Sequence, residues 1–147
     1  MESELLASNA DVFIHAAVIT PGREREIKQF EQIFRVNTLG TINALEAAKN
    51  CGTVRFIYVS SVAVYGTSSQ EYDPVRETVP LKPSNVYEIS KFASEHIALR
   101  YRELYNMDVR AIRLGDVFGA WEFDTGVRDT MLSLIHISEP TRLRCIS

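Results

Sequence analysis

Cysteine is scarce in this sequence, cationic blocks are absent, and no apolar run is long. The only two cysteines, Cys51 and Cys145, stand far apart and lack metal-ligand spacing. They point to reduced thiols in a cytoplasmic protein, and to neither a disulfide scaffold nor a metal site. The 16 basic and 19 acidic residues are scattered along the chain. With no basic block to neutralise phosphates, nucleic acid is not an expected partner. No apolar stretch approaches the ~20 residues of a membrane helix, and the opening MESELLASNA has no apolar signal core, so no membrane association is expected. Internal repeats and low-complexity tracts are also missing. What remains is 46% apolar and 24% charged over 147 residues, enough for one buried core and unlike a disordered chain.

The pattern alternates strand and helix. Residues 11–18 (DVFIHAAV) hold a short apolar run that reads as a buried strand. After a loop with Pro21 and Gly22, residues 24–50 place Ile27, Phe30, Phe34, Leu45 and Ala48 at helical spacing. Gly52 is the expected stop, because glycine accepts the left-handed conformation there. Residues 54–61 (VRFIYVSS) are β-branched and aromatic, as in a second buried strand. Residues 62–84 contain Gly66, Pro74, Pro80 and Pro83 and read as a long loop, which in a compact domain is more often functional than idle. Asn85 with Glu88 is a capping-box start for a helix over 87–105, and residues 108–119 give a third strand.

Strands separated by helices of such length imply parallel crossovers and a sheet buried on both faces. Ligands of such sheets sit beyond the carboxyl ends of the strands. That rim holds Ala16 and Ala17, Ser60 and Ser61, and Gly115 and Asp116.

Tyr87 and Lys91 stand four apart, separated by only ~40° around a helix axis. A tyrosine of pKa near ~10 is a poor acid or base at neutral pH, but an adjacent ammonium favours its phenolate. A shift of about three units needs roughly 4 kcal/mol, within reach of one lysine and a further cation in a poorly solvated cleft. Such a pair makes a proton shuttle. By itself a Tyr-x-x-x-Lys pair occurs on many helix surfaces. Ser61, 26 residues earlier at a strand end, could hydrogen-bond a substrate carbonyl or simply cap its strand. Asn37 lies mid-helix, where asparagine is unfavourable; it is either tolerated or bonds back toward the site. His15 reads as a satisfied core residue, and His15, His96 and His136 are too dispersed for a metal site. Phe92, Ile97, Tyr101 and Tyr105 read as core or subunit interface.

Five ordered segments, DVFIHAA, VNTLGT (36–41), YVSSVAVYG (58–66), YEISK (87–91) and RLGDVFG (113–119), together resemble the extended short-chain dehydrogenase/reductases. The likeness is strongest to the NAD-dependent epimerase/dehydratase branch, and it runs from about Asp11 to Met131. The resemblance implies an α/β fold with a partial Rossmann-like parallel sheet flanked by helices. It implies catalysis by Tyr87 as general acid/base, Lys91 as its activator and ribose ligand, and Ser61 as holder of the reacting oxygen. Ala16, Ala17, Asn37, Tyr87, Lys91 and Gly115 match cofactor contacts. Ser61 and Asp116 match substrate contacts, although Asp116 replaces an asparagine often found there. NAD is the implied cofactor, with NADP not excluded, a nucleotide sugar the implied substrate, and a homodimer the implied assembly of the parent enzyme.

Two departures qualify that picture. The family's glycine-rich G-x-x-G-x-x-G loop is absent, and residues 11–17 look like its fourth strand, so the N-terminal strands and the phosphate loop are missing from this chain. The chain alone is therefore expected to bind NAD poorly or not at all. Residues 1–131 read as the central and C-terminal part of a dinucleotide-binding domain. Residues 132–147 (LSLIHISEPTRLRCIS) read as a tail outside the family, artefactual or disordered, resembling translated adapter sequence. Dehydratases of the branch carry an Asp-Glu pair directly after the serine or threonine; here Val62 and Ala63 stand there. An epimerase or related oxidoreductase is the expected activity of the parent. A cofactor-sensing or scaffold relative, or a non-functional fragment, are the alternatives.

Overall fold

The computed structural model describes residues 10–115. Within them a three-stranded sheet runs in the order β1 (Val12–His15), β2 (Arg55–Ser61), β3 (Asp108–Leu114), with both pairings parallel. Between β1 and β2 lie α1 (Arg23–Phe34), a π-helical turn (Arg35–Leu39) and α2 (Gly40–Asn50). After β2 come a 3₁₀ turn (Val62–Tyr65), the single turn α3 (Ser68–Glu71) and the long α4 (Val86–Tyr105). The parallel α/β architecture implied by the sequence is present. Among the described residues no helix is long and apolar enough to cross a membrane.

Local chemistry explains the boundaries. Gly52 takes φ 67°, the left-handed conformation that ends α2. The start of α4 is a complete capping box: Asn85 Oδ1 accepts the Glu88 N–H at 3.0 Å while the Glu88 carboxylate accepts the Asn85 N–H. Gly66, at φ 51°, closes the 3₁₀ turn, and a Cβ there would lie 1.9 Å from the Lys82 carbonyl oxygen. Only glycine lets the loop return this closely, so residues 62–84 are anchored although largely irregular.

The core lies between the sheet and the helices. Ala44, Leu45 and Ala48 of α2 and Ala98 of α4 pack on Phe56, Tyr58 and Val109 of the sheet. Phe13 stacks on Phe56 with ring centroids 5.2 Å apart.

Three expectations need correction. Among the described residues one face of the sheet is uncovered: Val12, Ile14, Ile112 and Leu114 are exposed. Both crossovers step the same way across the sheet, and crossovers of one hand stepping one way put their helices on one face. Ile27 and Phe30, set at helical spacing with Leu45 and Ala48, are 76% and 54% exposed; Ile33 fills the core instead. The strands are also shorter than the apolar runs, with β1 leaving the ladder at His15 and β3 at Leu114.

Candidate functional site

The carboxyl ends of the strands and the amino end of α4 meet on one rim. Ser61 closes β2, paired with Leu114 of β3. Its side chain is half-buried, and its Oγ accepts the Ala63 N–H at 3.1 Å, which starts the 3₁₀ turn. Because that bond uses an oxygen lone pair, the hydroxyl hydrogen stays available to donate.

Lys91 is 3% exposed, rare for a lysine. Its Nζ donates to the Val59 carbonyl at 2.7 Å and lies 5.1 Å from the centroid of the Tyr58 ring. Burial pulls its pKa down to about 8. The structure thus brings Lys91 to the strand position two residues before Ser61. Tyr87, one turn earlier on α4, is half-buried, neither lost in the core nor turned wholly to solvent. It lies close enough to influence Tyr58, whose phenol is pushed up to about 12, by burial first; hydrogen bonds to Ser94 and Thr41 act in the opposite direction, and the charges of Tyr87 and Glu95 add to the rise.

Asn37 is buried in the π-helical turn and serves the chain. Its Oδ1 accepts the Ile19 N–H at 2.7 Å, and its Nδ2 donates to the Ile19 carbonyl at 3.0 Å and to Ser90 Oγ at 2.9 Å. Its own carbonyl accepts the hydroxyls of Thr41 and Ser94. The amide thus clamps the loop that follows β1 to α4, the back-bonding that a mid-helix asparagine allowed. Ala16 and Ala17 are exposed where β1 leaves the sheet, and Gly115 is exposed beyond β3, with room around its Cα for a side chain among the described residues. Asp116 lies outside the described residues.

His15 is a core histidine, as its place in the strand suggested. It is buried, its Nε2 lies 3.1 Å from Thr41 Oγ1, and burial, then the Lys91 charge, lowers its pKa. Its imidazole is therefore neutral at physiological pH. Among the described residues no group of three or more His, Cys, Asp and Glu could hold a metal ion.

Sequence reasoning missed a buried ion pair. Glu95 of α4 is 3% exposed and bonded to Arg113 of β3. The signal was available: a glutamate four residues beyond Lys91 continues the Tyr87–Lys91 stripe, and Arg113 follows Val109 and Ala111 at alternate positions on the strand face that packs inward.

The family model described as "NAD dependent epimerase/dehydratase family" matches residues 2–144. A dTDP-D-glucose 4,6-dehydratase of Mus musculus is 35% identical over 126 residues, covering 85% of this chain and 34% of the mouse protein. Among solved structures, RMD from Pseudomonas aeruginosa complexed with NADPH superposes with a TM-score of 0.71 at 31% identity, over 78% of this chain and 39% of that one. UDP-glucose 4-epimerase from Brucella ovis in complex with NAD gives 0.72 at 26% identity, over 81% and 37%. The chain spans about a third of the length of the curated relatives it matches. With its rim geometry, ordered motifs and near-complete family match, the chain belongs to the NAD-dependent epimerase/dehydratase family of extended short-chain dehydrogenase/reductases.

Proposed function

We propose that this chain carries the proton-transfer half of a nicotinamide-dependent nucleotide-sugar epimerase, with Tyr87, Lys91 and Ser61 as its catalytic residues. One observation carries the reading: the Lys91 ammonium is buried on the carbonyl of Val59, one helical turn from Tyr87 and two residues from Ser61.

The residues present suit the nicotinamide-ribose end of a dinucleotide. Lys91 has ammonium hydrogens beyond the one given to Val59 and can donate to ribose hydroxyls. Ala16, Ala17 and Gly115 keep the rim open with small side chains, and Asn37 sets the backbone that follows Ala17. No glycine-rich loop for the pyrophosphate occurs in the sequence, so the 147 residues alone bind NAD weakly or not at all. NAD is the favoured cofactor, with NADP open.

Bound NAD supplies the hydride acceptor. The Tyr87 oxygen takes the proton of the sugar hydroxyl as that carbon loses hydride, and Lys91 stabilises the charge on that oxygen. The Ser61 hydroxyl donates to the carbonyl oxygen that forms. Once the ketone has rotated, return of hydride to the opposite face of the carbon, while Tyr87 returns the proton to its oxygen, gives the epimer with no net redox change. Elimination of water needs further acid and base groups after Ser61, and Val62 and Ala63 offer none. On this point the local chemistry outweighs the dehydratase names of the relatives. Exposed apolar side chains on α1 and α4, Ile27, Phe30 and Ile89, suit helix packing between two subunits of a homodimer.

The test is an assay of the protein carrying this chain at its relatives' length, with NAD and UDP-glucose or dTDP-glucose. Epimer formation is expected, and Tyr87→Phe and Lys91→Met each lower kcat by about 10²–10⁴. Ser61→Ala lowers it by about 10²–10³. Undiminished turnover in Tyr87→Phe, or accumulation of a 4-keto-6-deoxy sugar, overturns the reading.

A further inference from the structure

Behind the proposed catalytic groups, four polar side chains from four segments meet in a cluster in which Ser60, Tyr65 and Glu95 are buried and Arg113 is partly so. The Glu95 carboxylate of α4 accepts the Ser60 hydroxyl of β2 at 2.6 Å. It is gripped by Arg113 of β3 through Nη2 at 2.6 Å and through Nε at 3.1 and 3.2 Å. Arg113 Nη1 in turn donates to the Tyr65 hydroxyl at 2.9 Å, and the guanidinium lies 5.0 Å from the centroid of the Tyr65 ring. Burial alone would raise the Glu95 pKa, but hydrogen bonds from Arg113 and Ser60 and the Arg113 charge outweigh it and hold the group ionised.

Burying an ion pair is a poor way to hold a helix on a sheet, because apolar side chains of the same volume do it without desolvating two charges. Here Phe56, Ala98 and Val109 already pack α4 on the sheet. What the ion pair adds is direction, and the connectivity shows where. Ser60 precedes Ser61 and Tyr65 ends the turn that Ser61 begins, so both flanks of Ser61 are tied to one carboxylate–guanidinium unit. That unit sits on the helix face that bears Tyr87 and Lys91, one turn beyond Lys91.

We propose that Glu95 and Arg113 are positioning residues: with Ser60 and Tyr65 they fix the turn after β2, and so the Ser61 hydroxyl, against the face of α4 that carries Tyr87 and Lys91. The bearing on catalysis rests on the function proposed above, whereas the mechanical claim stands on this chain alone.

Native-state amide hydrogen exchange on the 147-residue chain tests the mechanical claim. Tyr65→Phe removes one hydroxyl and keeps the ring. It should speed exchange at Ala63 and Gly66, whose N–H groups bond within the turn, by roughly tenfold, about what one lost hydrogen bond allows. The turn should open at a free energy below that of global unfolding, while the urea midpoint and the exchange of Phe56 and Val109 should change by no more than that one bond accounts for. Glu95→Gln should loosen the same amides more and lower the midpoint further; if it fails to fold, Tyr65→Phe decides alone. Unchanged turn amides, or turn amides that open only with the whole chain, overturn the proposal. In the catalytically competent protein, Tyr65→Phe should lower kcat several-fold with KM unchanged, and an unchanged kcat denies the positioning role. A wild-type protein without turnover would sink the proposed function and leave the exchange result standing.

Discussion

The layer between sheet and helices has two unlike ends. Toward the amino ends of the strands it is apolar, with Leu45, Ala48, Phe56, Ala98 and Val109 all fully buried. Toward the carboxyl ends it is polar, with Asn37, Thr41, Ser60, Ser90, Lys91, Ser94 and Glu95 buried just as completely or nearly so. One helix spans both: α4 enters through its capping box with polar groups facing the sheet and leaves with Ala98 and Tyr101 packed against the core. A buried polar group costs free energy unless it is bonded, so the second end contributes little to stability and must be satisfied bond by bond. Stability is concentrated at one end of the layer and the proposed chemistry at the other.

The largest expected effect lies at the apolar end. Phe56 is fully buried and stacks on Phe13. Phe56→Ala should destabilise the chain by about 3–5 kcal/mol, a large part of the ~5–15 kcal/mol that holds a typical domain together. A urea titration followed by circular dichroism reads the loss directly. A change below about 1 kcal/mol would mean that this end is not where the fold is held, and the contrast between the two ends would fail.

Lys91 sharpens the contrast with the opposite sign, because its burial opposes folding. The folded pKa, pulled down to about 8 by burial, lies below the unfolded value of 10.5. Below pH 8 the lysine is charged in both states and the full desolvation penalty applies. Between about 8 and 10.5 the folded protein gives up a proton that the unfolded chain keeps, so stability rises with pH. Above pH 10, Tyr58 and Tyr101 oppose the trend, since both phenols are pushed up to about 12 and keep protons that the unfolded chain loses. The difference between wild type and Lys91→Met isolates the lysine. The variant should be the more stable at pH 7, and the gap should close as the pH rises toward 10. A gap that stays constant from pH 7 to 10 would show that the ammonium is better solvated than its burial indicates.

The same division explains what the sequence could disclose. The apolar end was legible because strands and helices advertise buried faces through periodicity, and Phe56, Leu45 and Ala48 fell where the pattern put them. Ile27 and Phe30 misled for the same reason: periodicity locates an apolar face but does not say whether this chain or another molecule covers it. The open face of the sheet, with Ile14 and Ile112 exposed, was hidden for a similar reason, since β-branched composition does not reveal on which side the helices lie. At the polar end, Tyr87, Lys91 and Ser61 were proposed through spacing and family likeness. Glu95 and Arg113 escaped because their partners are 18 residues apart in sequence and meet only once β3 lies beside β2. Asn37 showed its oddness as a mid-helix asparagine, yet its bonds to Ile19 and Ser90 depend on a π-helical turn that propensity does not foretell.

The smallest effect is expected where the polar end begins. Asn85 caps α4, but its loss would leave the helix amino end partly served. The Glu88 carboxylate also accepts from Ser84, through N–H at 2.6 Å and hydroxyl at 2.9 Å, and Glu26 of α1 accepts the Val86 N–H at 2.7 Å. Both carboxylates also sit favourably at the positive end of the helix dipole. Asn85→Ala should therefore cost about 1 kcal/mol, measured as a shift in urea midpoint, because only the Glu88 N–H loses its acceptor. Tyr87 lies within the first turn, so fraying there would reach the proposed acid/base before it reached Lys91 or Glu95 deeper along the helix. Amide exchange at Glu88 should quicken through local fraying, and Ser94 and Glu95 should quicken by no more than the fall in global stability allows. Acceleration at Ser94 beyond that would mean that the cap, and not the Lys91 and Glu95 bonds, holds the polar end of α4 on the sheet.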